Sequence, residues 1–493
     1  MFDHMAAGSA ETLKKALLHP DSYWEIDLPG YFDFQPILQQ CSAWCESSEP
    51  TDLLREPAAA KSIQSSYFIN TLKSAQGKKP VFRPLAMIHP LHYVQLVQQL
   101  TTPELHARLH QHVQELTALP AIHSYSMPVL PNPRYPRRKG QILNWWEGLE
   151  QGSLEQALRF SWMIATDITQ CYPSLRPKTL LRALYDTHHP RDPEAQRLKT
   201  TLRQMAHPKG RGLPQSSAVA HLLAELVLGR IDQQLSQALE RLQLSEYRIL
   251  RYRDDYRIFA HSKAQVQEIA HQLSQVLQDW GLRLNPAKHL LSNDLIVDAL
   301  KPEKRDRIGR VIEHHNPQKY LLNLYYYGLE HLNNGQQIRI LQDFGQTLRQ
   351  QPEFFRQARH DMVVLLAILT RLMRQHPRTI PQALAIVGIL LEPESPADRQ
   401  ICCTVIRQQF QPLEHFPLLQ VWLQRLTLDL PELDYPERLC RHVADPAQPV
   451  WDSGWLLPPV QQALDALPII NRARLEACAP VIERTEIDCF CPR

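Results

Sequence analysis

The stretch Arg251-Tyr252-Arg253-Asp254-Asp255-Tyr256-Arg257-Ile258-Phe259 places two adjacent carboxylates inside an apolar and aromatic run. Adjacent carboxylates in such surroundings are costly unless something positive neutralises them. Because successive side chains of a strand point to opposite faces, a tight turn between two strands suits the pair better than a strand interior. The run therefore predicts a β-hairpin with one or both acids aimed at a cation. Taken alone, Asp254 and Asp255 are explained more simply by a solvated surface turn.

Composition sets the outer limits. The 493 residues are enough for about three domains and an ample core. Glycine (16) is scarce and proline (39) plentiful, which predicts a mostly helical chain with joints at prolines. The net charge of +3 does not by itself indicate nucleic acid binding. No apolar stretch approaches the roughly 20 residues that span a bilayer, and no signal-peptide apolar region begins the sequence. Nine unevenly spaced cysteines are typical of a reducing compartment. We therefore expect a cytoplasmic protein without a membrane partner.

Three regions separate by pattern. Residues 1–64 form a helical lead-in. Residues 65–304 alternate helices with short β-like runs, which predicts a mixed domain, α/β or α+β, and we assign α+β. In residues 305–493 the strand signals disappear, and helical runs start about every 20 residues, which is the spacing of HEAT-like helix pairs. An irregular helical bundle explains the same pattern equally well. The predicted strands are 67–69, 81–85, 160–168, 247–252 and 256–260.

A third acid precedes the pair. The run Phe160 to Ser174 reads as a buried strand that delivers Asp167 at its end and then turns into a helix. Together with Asp254 and Asp255 it would give three acids on one site, enough to hold two Mg²⁺ ions roughly 3.5–4 Å apart for in-line displacement at phosphorus. A helix N-cap is the alternative reading of Asp167 by itself.

Two further segments complete the pattern. Between the acids, residues 209–217 read Lys-Gly-Arg-Gly-Leu-Pro-Gln-Ser-Ser and open a strongly helical run. After the hairpin, residues 281–288 read Gly-Leu-Arg-Leu-Asn-Pro-Ala-Lys. In order and approximate spacing, the four segments resemble the palm of the reverse transcriptases over about residues 65–300. This resemblance makes Asp167, Asp254 and Asp255 the catalytic, metal-binding acids, with Ile168 offering a backbone carbonyl to one of two Mg²⁺ ions; Mn²⁺ is the alternative ion.

The resemblance also implies a nucleotide site. Tyr172 falls where the family keeps an aromatic steric gate against a ribose 2′-OH, so deoxynucleotides are the expected substrates. Gln215 would line the nucleotide and template pocket, and Lys288 would approach the triphosphate or the leaving pyrophosphate. Residues 67–90 look like the fingers hairpin, in which Lys73 and Arg83 would clamp the triphosphate. A basic solvated hairpin is the alternative for the last two.

Within the family, one branch fits best. The hairpin phrase 249–259, the helix 224–229 and Asn-Trp-Trp-Glu at 144–147 look like the bacterial abortive-infection and defence-associated reverse transcriptases. That likeness implies a helical, HEAT-like C-terminal region, a dedicated non-coding RNA template, a DNA product, and a second copy or a partner protein from the same defence locus. Neither an RNase H domain nor a maturase tail is visible in the sequence.

Two departures bear on copying. Ser216 stands where family members usually have glycine after Pro-Gln, so its Cβ would crowd the templating base or the primer. Residues 175–178 read Leu-Arg-Pro-Lys where relatives of this branch show a Tyr-Thr-His run. We therefore expect catalysis to survive and template handling to be unusual.

Further residues are candidates for nucleic acid contact. Basic runs supply phosphate affinity, with a solvated basic loop as the alternative; the candidates are Arg134, Arg137, Arg138, Lys139, Lys209 and Arg211. Because some enzymes of this branch are thought to prime from a protein hydroxyl, Tyr325, Tyr326 and Tyr327 are candidate primers, although an aromatic core stripe explains them as well. Two other functions stay open: a group II intron-like or retron-like enzyme, and a non-catalytic palm that serves as a nucleic-acid-binding scaffold.

Overall fold

A computed structural model of the protein describes residues 8–47, 50–55, 66–74, 81–130, 138–185, 187, 191–205, 212–300, 316–331, 335–430 and 433–487. At 50–51, 70–74, 81, 83–84 and 138–144 it describes the backbone alone. Within these ranges every helix is too short or too polar to span a bilayer.

A five-stranded mixed sheet forms the centre of the fold. Its strands are β3 (Ile122–Ser124), β4 (Trp162–Asp167), β5 (Tyr247–Tyr252), β6 (Asp255–Ala260) and β7 (Leu290–Ser292), in the order β3-β5-β6-β4-β7. Strands β3 and β5 run parallel, and the other neighbours are antiparallel. A separate antiparallel hairpin joins β1 (Tyr67–Ser74) to β2 (Val81–Met87). The structure therefore contains all five predicted strands and adds β3 and β7.

Alternation along the strands gives the sheet two apolar faces. Ile164, Ile249 and Ile258 enter the main core, to which helices α10 (Ala218–Arg241) and α11 (Lys263–Asp279) contribute. Their neighbours Met163, Leu250 and Phe259 enter a second cluster with Trp145 and Leu149 of α6 (Arg138–Gln156). This period of two is what a sheet covered on both faces requires.

The remaining helices surround these sheets. Before the first hairpin come α1 (Ala10–Leu17), α2 (Pro20–Tyr23) and α3 (Gln35–Ser47). After it come α4 (Pro90–Leu100), α5 (Pro103–Thr117), α7 (Cys171–Ser174), α8 (Pro177–Tyr185), α9 (Pro193–Met205) and α12 (Leu295–Ala299). Side-chain caps mark several starts; Ser262, for example, accepts a hydrogen bond from the backbone N–H of Gln265 at 3.2 Å.

Beyond residue 315 the described chain forms helices and no named strand, as predicted. The helices are Pro317–Glu330, Gln336–Gln350, Pro352–His360, Met362–Gln375, Ile380–Leu391, Pro396–Gln408, Pro417–Leu426, Arg438–Ala444, Pro458–Asp465, Arg472–Glu476 and Arg484–Ile487. The α+β class with an all-α C-terminal region is confirmed. That these helices form HEAT-like repeats stays a prediction.

The C-terminal helical region packs against both the hairpin β1–β2 and the N-terminal segment. Tyr67 of β1 donates a hydrogen bond to Glu437, and the rings of Phe82 and His415 lie 4.7 Å apart. Isolated β-bridges pair Phe32 with Ile470 and Leu54 with Leu456. One continuous apolar core contains residues from all three regions.

Two buried histidines lie at this junction. His89 Nε2 is 3.3 Å from Ser453 Oγ, and the His92 ring stacks on Trp455 with centroids 4.5 Å apart. Burial lowers the pKa of His92 to about 4, although a hydrogen bond with Gln95 acts the other way, and burial also lowers the pKa of His89, with His92 as a second cause. Burial therefore favours the neutral form of both rings in the folded protein.

We expect acid to destabilise the fold through these histidines. The stabilisation is present above the unfolded pKa of about 6.5 and is lost as the pH falls toward 4, because only the unfolded chain then binds the protons. His92 alone accounts for about 3 kcal/mol. Melting temperatures at pH 7 and pH 5 check this. From pH 7 to pH 5, the melting temperature of His92→Phe, which keeps a stacking ring, should fall less than that of the wild type. An equal loss in both proteins would contradict the assignment.

Candidate active site

The three acids meet at one end of the sheet. Asp167, the last residue of β4, lies directly opposite Asp255, the first residue of β6. Tyr252 also pairs with Asp255, so Arg253 and Asp254 form the two-residue turn of the β5–β6 hairpin. Arg253 has φ of 52°, in the left-handed region that such tight turns use. The structure thus brings together Asp167, Asp254 and Asp255.

Backbone bonds fix this corner. The N–H of Ile168 donates to the carbonyl of Asp254 at 3.0 Å, and the N–H of Asn285 donates to the carbonyl of Asp167 at 2.8 Å. The Asn285 side chain in turn caps a 3₁₀ turn at Pro286–Lys288. Neither of the two bonds at the strand end uses the carbonyl oxygen of Ile168. The strand end, the hairpin turn and the segment that carries Lys288 are therefore tied to one another.

Lys288 forms an ion pair with the first acid. Its Nζ lies 2.5 Å from Asp167 Oδ2, and the Asp167 side chain is 7% exposed against 61% for Lys288. Burial acts to lower the pKa of Lys288, but the hydrogen bond to Asp167 and the charges of the three carboxylates raise it. Burial is also the main cause that raises the pKa of Asp254, and Asp167 adds to it. All three carboxylates therefore act on the charge of Lys288 at this corner.

The donor set suits a divalent cation. Asp167 Oδ1 is buried and makes no hydrogen bond, and carboxylate oxygens are the ligands that Mg²⁺ prefers. Within the described ranges, no three His, Cys, Asp or Glu side chains already stand in an arrangement that would hold a metal ion. Asp167 Oδ2 is engaged by Lys288 in this arrangement.

The turn before α10 explains two residues of the Gly-Leu-Pro-Gln-Ser segment. Gly212 has φ of 52°, and a Cβ there would collide with the Tyr172 carbonyl and with Pro173. Ser216 is 4% exposed and has φ of 104°, a conformation that favours glycine. This is the physical reason why glycine suits position 216. Gln215 lies in the same turn, and its carbonyl accepts from the N–H of Ala86 at the end of β2 at 3.3 Å.

Behind the hairpin lies a buried ionic network that the sequence reading did not identify. Arg251, 1% exposed, lies 3.0 Å from Glu225 and 2.7 Å from Asp232, both of α10. Tyr256 donates to Asp232 at 2.9 Å, and Arg251 also donates to the carbonyl of Arg253 in the turn at 3.2 Å. Burial raises the pKa of Asp232, while Arg251 opposes this. The network fixes the hairpin to α10. In the sequence, the only indication of it is a charged residue within each of two apolar runs, Arg251 in one and Glu225 in the other.

Arg257 supports the hairpin from the other face. Its Nη1 donates to Ser153 Oγ of α6 at 2.8 Å and to the carbonyl of Ala299 at 2.7 Å. The ring of Trp146, in the 144–147 segment, meets the ring of Tyr252 edge-on with centroids 5.0 Å apart. The Trp-Trp-Glu segment therefore packs against the strand that leads to Asp254.

Other predicted site residues fall elsewhere. Arg134, Arg137, Lys209 and Arg211 lie outside the described residues, as do the side chains of Lys73, Arg83, Arg138 and Lys139. The three tyrosines lie on the helix Pro317–Glu330: Tyr327 is buried, Tyr325 accepts from Gln375 at 2.9 Å, and Tyr326 is 60% exposed. The alternative interpretation, that these tyrosines form an aromatic stripe in the core, thus fits Tyr327 and does not fit Tyr326.

Comparison with known proteins identifies the central part of the chain. The model of the family "Reverse transcriptase (RNA-dependent DNA polymerase)" matches residues 89–321, which contain all three acids, Tyr172, Gln215 and Lys288. A comparison with curated protein sequences gives no significant match.

Among solved structures, the Candida albicans telomerase in complex with a TWJ fragment of telomeric RNA is 11% identical, over 80% of this chain and 68% of that chain, with a TM-score of 0.31. The apo telomerase of Candida tropicalis is also 11% identical, over 78% and 70%, with a TM-score of 0.31. Likeness at this level adds nothing to the assignment. The family match over residues 89–321 indicates a reverse transcriptase domain, and with it a nucleotidyltransferase, an RNA-directed DNA polymerase.

Proposed function

We propose that this polymerase adds deoxynucleotides by phosphoryl transfer at Asp167, Asp254 and Asp255. The observation that carries the proposal is the register of the sheet, in which Asp167 faces Asp255 across β4 and β6 while Asp254 occupies the adjoining turn. Three carboxylates close together at one partly buried corner favour the binding of cations.

Two Mg²⁺ ions, with Mn²⁺ as the alternative, fit this donor set through the three carboxylates and the carbonyl of Ile168. When bound, they would supply charge neutralisation at phosphorus and orient the attacking and leaving oxygens. The chain's own part is positional: the buried network of Arg251 fixes the turn, and the bond from Asn285 fixes the end of β4. Lys288, once its ammonium leaves Asp167, is within reach of a triphosphate placed on the acids.

The nucleotide site extends from this corner in two directions. Tyr172, in the helix that follows β4, is proposed as the gate that excludes a ribose 2′-OH. Gln215, in the turn before α10, is proposed to line the same nucleotide pocket; its backbone carbonyl accepts from the N–H of Ala86 at the end of β2. Lys73 and Arg83, on the strands β1 and β2, are also proposed to hold the triphosphate.

We propose RNA as the template, held by the basic residues of 134–139 and 209–211, and a dedicated non-coding RNA in particular. Ser216 supports unusual copying, because a buried Cβ at φ of 104° stands beside Gln215. Tyr326 is the exposed hydroxyl of the three candidate primers. A product that keeps a peptide after protease digestion would identify such priming.

The test compares wild type with Ser216→Gly on an arbitrary RNA template and primer. We expect wild type to incorporate deoxynucleotides but to yield few full-length copies, and Ser216→Gly to yield about tenfold more, since a misplaced group at a reacting site costs one to two orders of magnitude. Sequencing of the products measures both. Full-length copying by wild type would contradict unusual templating, and no incorporation with either ion would favour the palm scaffold.

We further propose a role in bacterial antiphage defence. Its support is the resemblance of residues 249–259, 224–229 and 144–147 to the defence-associated branch. The alternative, a group II intron-like or retron-like enzyme, predicts a structured RNA bound by the helical C-terminal region. Phage plating efficiency on cells that carry the gene, compared with cells that carry the Asp254→Ala, Asp255→Ala form, discriminates the two.

A further inference from the structure

The proposed gate is held by a buried chain of polar side chains. The Tyr172 hydroxyl lies 2.5 Å from His221 Nδ1, and His221 Nε2 lies 2.6 Å from Glu25 Oε2. Tyr172 is 5% exposed, and the side chains of His221 and Glu25 are 6% and 5% exposed. The rings of Tyr172 and His221 also meet edge-on, with centroids 5.5 Å apart. One histidine therefore contacts the gate through both its hydroxyl and its ring.

The chemistry of the partners sets the direction of these bonds. A carboxylate accepts only, so Nε2 of His221 carries the hydrogen and donates to Glu25. In the neutral ring, Nδ1 is then an acceptor, and the Tyr172 hydroxyl donates to it. Arg253 Nη2 lies 3.2 Å from the same Nε2 and cannot donate to a protonated nitrogen, so its guanidinium serves instead as a positive neighbour of Glu25. Tyr172 therefore donates to His221, and His221 donates to Glu25.

Glu25 comes from outside the reverse transcriptase domain. It lies between α2 and α3, and residues 89–321 are the matched range. Its backbone N–H also donates to the carbonyl of Ser216 at 3.0 Å. One residue of the N-terminal segment is thus bonded to two elements of the nucleotide pocket: the gate, through His221, and the turn after Gln215.

We propose that Glu25 and His221 are positioning residues for sugar selection, and that the N-terminal segment is part of the nucleotide-selecting site. They hold the Tyr172 ring against the position of the 2′ substituent, so that a ribonucleotide cannot displace it. This inference rests on the proposed use of deoxynucleotides. Without the hydrogen bonds to His221 and Glu25, the ring of Tyr172 is still present but loses its fixed orientation.

The test measures kcat/KM for a deoxynucleotide and for the matching ribonucleotide. We expect His221→Leu to lower the deoxy/ribo ratio by about tenfold or more, since small misplacements at a reacting site have effects of that size. The change should come mainly from faster ribonucleotide incorporation. Glu25→Ala should move the ratio in the same direction by less, and Glu25→Gln, which keeps an acceptor for Nε2, should restore most of it.

His112→Leu is the matched control. His112 is also buried, and its Nε2 lies 2.9 Å from Arg230 of α10, so its loss disturbs the same helix without touching Tyr172. It should leave the ratio unchanged. An equal loss of both activities in His221→Leu, or an unchanged ratio, would overturn this inference alone. A wild type that incorporates nothing, or that accepts both sugars equally, would overturn the proposed function and this inference with it.

Discussion

Replacing both Asp254 and Asp255 by alanine is expected to abolish nucleotide incorporation, with a rate loss of at least about 10³-fold. The double change removes two of the three carboxylates at the corner and leaves Asp167 paired with Lys288 at 2.5 Å. A single remaining acid that already has a cationic partner cannot bind two divalent ions. Incorporation of labelled deoxynucleotide by purified protein measures the loss.

The control removes the same charge elsewhere. Asp279 and Asp343 are both exposed, on α11 and on the helix Gln336–Gln350, so their double alanine variant should keep incorporation within about twofold. The melting temperature of the active-site variant should not fall, because like charges are removed from a half-buried corner. Retained incorporation in that variant would show that the acids are not the catalytic ones.

The second large effect is expected from Arg251→Ala. This side chain is the cation of a buried network, and without it Glu225 and Asp232 are left as neighbouring buried carboxylates. Breaking a buried ion pair by removing one partner costs about 3–5 kcal/mol, which lowers the melting temperature by about 10 °C. Activity should fall as well, since the bond from Arg251 to the carbonyl of Arg253 holds the catalytic turn.

Arg248→Ala on the same strand is the comparison. Arg248 donates to the carbonyl of Pro120 at 2.6 Å in an exposed bond, so its loss should cost less than about 1 kcal/mol. If Arg251→Ala is combined with Glu225→Gln and Asp232→Asn, part of the stability should return, because the buried negative charge is gone. Equal melting temperatures for Arg248→Ala and Arg251→Ala would argue against the network.

Much of the fold could be predicted because local sequence patterns determine most of its helices and strands. The apolar and aromatic runs at 160–168 and 247–260 predict strands, and prolines lie at the joints between the helices beyond residue 316. Strands β3 and β7 were missed because three residues are too few to show a period. Their pairing partners, not their own sequences, make them strands.

Part of the candidate site could be predicted from the sequence and part could not. The acids, Gln215 and Lys288 lie in ordered segments with recognisable spacing, although the ion pair of Lys288 with Asp167 was not foreseen. The partners of Tyr172 and Arg251 could not be predicted, since a hydrogen bond such as that between His221 and Glu25 joins residues 196 positions apart. Only the fold brings such groups together. A carboxylate within an irregular lead-in gives no signal of its own.

The pairing of the N-terminal segment with the C-terminal helices has a consequence for synthesis. Arg474 donates to the carbonyl of Gly30 across 444 residues, and Asn471 donates to Tyr31. At roughly 5–20 residues per second, a ribosome takes about 20–90 s to make that intervening chain. The segment that carries Glu25 therefore lacks its C-terminal partners while the reverse transcriptase domain is being made. Its docking on the C-terminal helices can therefore begin only after those helices have been made, long after the segment itself.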